Sequence, residues 1–139
     1  MNAVELQKAI YSRLINYSDL TSLLATDPRS TSPAVYDHVP QDATFPYVVV
    51  GDTTMAPFDT DDSTGNDATV MIHVWSEYRG RIETKEIQDA IYNALHRYDL
   101  TVTGSDTIMV EWEYADTELD PDGITRHGVQ RFRTVIEDS

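Results

Sequence analysis

The chain has 139 residues, one domain's worth: enough to bury a single core and too few for two. Its 24 acidic against 10 basic residues give a formal charge of -14, which opposes attachment to phosphate backbones and excludes nonspecific nucleic-acid binding. There is no cysteine for a disulfide or a thiolate zinc site, no basic and apolar leader, and no apolar run of spanning length; the expectation is a soluble chain made in a cytoplasm, with no membrane partner.

Asn2 followed by Glu5 has capping-box spacing, and Leu6, Ile10, Leu14 and Tyr17 then recur at helical intervals, predicting a first helix to about residue 16. Ser18 and Asp19 can cap a further short turn carrying Leu20, Leu23 and Leu24, which Pro28 and the Ser/Thr/Pro cluster of 30–33 bring to an end. Two short strands are expected at about 34–38 and 47–51, with Pro40 and Pro46 in the loop between them. Residues 53–67 are Thr, Asp, Pro, Gly and Asn with only Met55 and Phe58 as larger apolar groups, which reads as a long loop of functional or mobile kind. From 69 to 76, Val70, Ile72 and Val74 alternate with Met71, His73 and Trp75, as in a strand covered on both faces; the bulk of the second set points to a partner.

A second helix is expected at about 80–97, with an apolar stripe of Ile82, Ile87, Ala90, Ile91, Ala94 and Leu95 and with His96 and Arg97 near the exposed carbonyls of its end. Strands follow at about 107–115 and 127–136, joined through Asp120-Pro121-Asp122-Gly123, a turn by its chemistry. The order α-β-β-β-α-β-β describes a single domain over residues 1–139 of the α+β class, with an antiparallel or mixed sheet of about five strands and two helices packed on one face.

Little in the chain carries chemistry. Residues 59–67 are rich in Asp, Ser and Thr, but glycine stands at the seventh position and Val70 at the twelfth, where a calcium loop needs glycine at the sixth and a bidentate glutamate at the twelfth. His38, His73, His96 and His127 lack close ligand spacing, and no nucleophile elbow or phosphate loop occurs; no catalytic, metal or cofactor residue is expected. Arg126, Arg131 and Arg133 are the densest basic cluster, and either pair with Glu111 and Glu113 on the neighbouring strand or contact another subunit. Tyr78-Arg79-Gly80-Arg81 has the same two readings, turn or contact. Candidate contact residues are therefore Tyr78, Arg79, Arg81, Arg126, Arg131 and Arg133, with Met55 and Phe58 from the polar stretch.

Three phrases, YDHVPQDATFPYVVVGD (36–52), HVWSEYRGR (73–81) and DPDGITRHGVQRFR (120–133), are similar in wording and placement to the tail-completion or tail-terminator proteins of long-tailed phages and gene transfer agents. The resemblance covers nearly the whole chain. It implies a virion structural protein and not an enzyme: a homo-oligomeric ring, commonly a hexamer, at the head-proximal end of the tail. Such a ring caps the tail-tube protein, ends tube growth and offers a surface to head-completion or neck proteins, while DNA passes through its opening. A head-tail joining or other minor tail protein is the structural alternative, and a small acidic binding module or enzyme a remote one.

Overall fold

Leu6, Ile10 and Leu14, spaced four apart, form one fully buried stripe, and the helix that carries them, α1, spans Ala3–Ile15 in the computed structural model, which describes residues 1–139. Asn2 makes no side-chain cap. Its Nδ2 instead donates to the Thr103 carbonyl at 2.7 Å and to Ser105 Oγ at 2.9 Å, tying the start of α1 to a distant loop. The short turn expected after it is α2, Ser18–Thr21, which buries Leu20.

The strands are β1 (Val35–Tyr36), β2 (Tyr47–Pro57), β3 (Gly65–Ser76), β4 (Ser105–Leu119) and β5 (Arg126–Asp138), with α3 (Ile82–Leu95) between β3 and β4. They form one sheet in the order β1-β2-β3-β5-β4; β1 runs parallel to β2 and every other pair is antiparallel, so the sheet is mixed and the class is α+β. Because a strand alternates its sides, Val48, Val50, Val70, Ile72, Val74, Phe132 and Ile136 all face the same way. They meet Leu6, Ile10 and Leu14 of α1 and Ile87, Ile91, Ala94 and Leu95 of α3 in one core. Each Val, Leu, Ile or Phe side chain among them contributes about 1.5–3 kcal/mol when fully buried.

The stretch read as a loop over 53–67 is mostly strand. β2 continues through Pro57 and β3 begins at Gly65, leaving only residues 58–64 as the turn. Composition concealed this because β1 pairs only with Val48 and Val49, so the rest of β2 is a sheet edge whose residues are largely exposed and need no apolar alternation. The register shifts between Val50 and Thr53, which returns Met55 to the helix side, where it packs against the core. Met55 is half-buried in that position.

At the end of α3, the cationic side chain that meets the last carbonyls is Arg13 of α1, whose Nε donates to the Ala94 carbonyl at 2.8 Å. His96 and Arg97, placed there by sequence reasoning, turn outward and cover the edge of β4. The Arg97 N–H donates to the Val110 carbonyl at 2.7 Å, and the Trp112 N–H donates to His96 Nδ1 at 3.0 Å. β4 also carries irregularities between Thr107 and Met109 and between Trp112 and Tyr114, so Trp112 lies opposite Phe132 while Tyr114 lies opposite Arg131, on the other face.

Candidate interaction surface

All three helices pack on one side of the sheet, and the opposite side has no covering element. Val49, Met71, His73, Trp75, His127 and Val129 stand there half-buried, carried at alternate positions of β2, β3 and β5. Three of them form a ring row across two strands: Trp75 stacks on His127 with centroids 3.9 Å apart and planes 5° from parallel, and His73 Nδ1 lies 2.8 Å from His127 Nε2. One imidazole must donate and the other accept, so at least one of the two rings is neutral. Burial pushes both histidines below the usual 6.5, with His73 adding to the effect on His127, against a smaller opposing pull from Asp52, Glu118, Asp120 and Asp116. Gly51 makes room for this row, since a Cβ there would lie 2.7 Å from the His73 ring.

The arginine cluster divides. Arg131 Nε donates to Glu113 Oε1 at 3.0 Å, the cross-strand pairing expected from sequence, and its guanidinium lies 4.8 Å from the Tyr114 ring centroid. Arg133 takes a different carboxylate from those expected: it grips Asp67 of β3 through Nε at 2.9 Å and Nη2 at 2.7 Å, and that hydrogen bonding holds the Asp67 carboxyl below its ordinary range. Glu111 lies opposite Arg133 in register but pairs with Arg97 at 3.4 Å. Both arginines are thus occupied within the chain.

Arg126 has a positioning role. Its Nε donates to the Gly80 carbonyl at 3.2 Å, joining the β4–β5 turn to the segment between β3 and α3. Gly80 has a φ of 81°, a conformation that favours glycine, and Ser76 Oγ both accepts from the Tyr78 N–H and donates to Glu83 at 2.7 Å. This corner is therefore ordered by its own bonds while its outward side chains are unpaired. Tyr78 is 56% exposed and Ile82 63%, and Arg79, Arg81 and Lys85 have no carboxylate partner. The other basic residues all hold a carboxylate or a carbonyl. Phe58 is exposed at the far end of β3, at the acidic β2–β3 turn, so the structure does not bring it together with the corner.

No three His, Asp or Glu side chains converge as a metal site would require. The arrangement offers surfaces: an aromatic sheet face, a cationic corner and an acidic tip. Sequence reasoning pointed to the bulk on the second face of β3 but missed the His73–His127 pair, because its members are distant in sequence and meet only through the β3–β5 register.

A family model described as tail completion protein gp17 matches residues 8–137. Tail completion protein gp17 of Bacillus phage SPP1 is 31% identical over 134 residues, covering 96% of this chain and 93% of that protein. Among solved structures, that of bacteriophage SPP1 gp17 superposes with a TM-score of 0.59 at 30% identity, over 95% of this chain and 88% of the other. A chain of the virion of a native gene transfer agent particle superposes with a TM-score of 0.85 at 24% identity, over 98% and 97% of the two chains, a likeness of fold.

Proposed function

The chain belongs to the tail completion protein gp17 family, and from that premise we propose that it is a virion structural protein that closes the head-proximal end of the tail. The observation that carries this reading is a match of family and relative over nearly the whole chain, turns included. In this reading identical copies form a ring, most simply a hexamer, that sits on the last layer of the tail-tube protein and ends its growth. The opposite side of the ring receives a head-completion or neck protein, and DNA passes through the opening. The work is done by surfaces, with no catalytic step.

Two physical features support it. A chain with a formal charge of -14 can line a passage with carboxylates, which repel phosphate and prevent the passing duplex from adhering. The corner of Tyr78, Arg79 and Arg81, held by Arg126, is a pre-ordered cationic surface on an acidic molecule, the asymmetry that a head-to-tail contact between identical subunits uses. Phe58, on the acidic tip, is the candidate contact for the tube. Arg131 and Arg133 support the sheet internally and take no part in the joint.

Negative-stain electron microscopy of the purified protein, alone and with its tail-tube protein, together with a solution mass, tests the proposal. Open-centred rings, or caps on one end of each tube, are the expected result. A chain that stays monomeric and leaves tube ends bare overturns it.

A further inference from the structure

The uncovered sheet face contains an open concavity of about 430 Å3 whose lining combines Val49 and the rings of His73, Trp75 and His127 with the carboxylates of Asp37 and Asp52. Neither carboxylate has a cationic partner in the chain, and both are exposed. Aromatic rings beside two unpaired carboxylates suit a planar, weakly hydrated cation. A guanidinium can lie against a ring while its N–H fork meets a carboxylate in two bonds, a geometry a lysine ammonium cannot reproduce. The chain uses this stacking elsewhere: the Arg13 guanidinium lies 3.6 Å from the Tyr98 ring centroid, and Arg131 lies over Tyr114.

The geometry points to this concavity as the socket for an arginine of the Arg79–Arg81 loop of a second copy of the chain, and so to the joint between neighbouring subunits. The inference rests on the reading that copies assemble into a ring, and gives that ring its contact. Arg79 and Arg81 are the arginines left unbound within the chain, and their loop is already fixed by Arg126 on the Gly80 carbonyl, so little order is lost on docking. Socket and loop adjoin on the molecule, since Trp75 leads into Tyr78 and His127 follows Arg126, but they are unlike in charge, so a contact between copies pairs one kind of patch with the other. Contacts of that kind propagate from copy to copy until they close.

The test uses the full chain in a Trp112→Phe background, which leaves Trp75 as the only tryptophan and lets its fluorescence report on the socket. Two variants are compared with this parent by sedimentation: Asp37→Asn with Asp52→Asn, and Arg79→Glu with Arg81→Glu. All four side chains are exposed, so an unchanged melting temperature serves as the folding control. Each variant is expected to weaken self-association by at least about tenfold. Mixing the two is expected to give one-to-one pairs and no rings, because the arginines of one meet the intact socket of the other, with a change in Trp75 emission. Assembly of both variants at the parent's concentration overturns the socket and leaves the ring standing. A parent that does not assemble, even with tube protein present, overturns the ring reading and the socket with it.

Discussion

His73 and His127 share one hydrogen bond at 2.8 Å in a half-buried setting, and burial holds both below 6.5. In the unfolded chain each titrates near 6.5, so as pH falls through that value the unfolded state takes up protons that the folded state refuses. Stability is therefore full above about pH 6.5 and falls as the solution is acidified toward the folded values. Urea midpoints at pH 7.5 and pH 5.5 should show the loss, and His127→Gln should flatten it; a slope unchanged by that substitution removes the assignment. The Asp67 carboxyl, lowered from 3.8 by Arg133, loses its contribution only in more acidic solution and leaves this window clear.

The elements show where sequence periodicity is enough and where it is not. α1, α3, β3 and β5 were legible because each presents one side to the common core, and burial enforces the spacing of Leu6, Ile10 and Leu14 or of Val70, Ile72 and Val74. Replacing Ile91 of α3, fully buried at the centre of that contact, with alanine should cost about 2–5 kcal/mol in denaturant unfolding, and a loss below about 1 kcal/mol would contradict its place in the core. The outer half of β2 was illegible because only Met55 of it meets the core; the rest is ordered by pairing with β3. Gly65 tests that origin. A Cβ there would stand 2.5 Å from the Ile136 carbonyl oxygen of β5 and 2.8 Å from that of Phe58 in the hairpin turn, both backbone atoms that cannot yield without loosening β3 from its partners. Gly65→Ala should destabilise the chain by about 1–3 kcal/mol, whereas a true loop over 53–67 would absorb it without change. The corner's unpaired arginines could be suspected from sequence, but Arg133's choice of Asp67 could not, because β3 and β5 had to be placed side by side before that carboxylate came within reach.

At the scale of the whole molecule, the net charge sets two opposing responses to salt. Within one chain the acidic excess repels itself, notably at the tip, where Asp59, Asp61 and Asp62 have no cation beside them. Raising the ionic strength shortens the screening length from about 30 Å at 0.01 M to about 3 Å at 1 M, so the melting temperature of the dilute monomer should rise over that range. Between copies joined as proposed, the same screening would act on the attraction of Arg79 and Arg81 for Asp37 and Asp52, and the association constant should fall. Melting at low concentration and sedimentation at high concentration, read across one salt series, should therefore move in opposite senses. Association that strengthens with salt would mean a joint made by apolar surfaces such as Tyr78 and Ile82, with the arginines outside it.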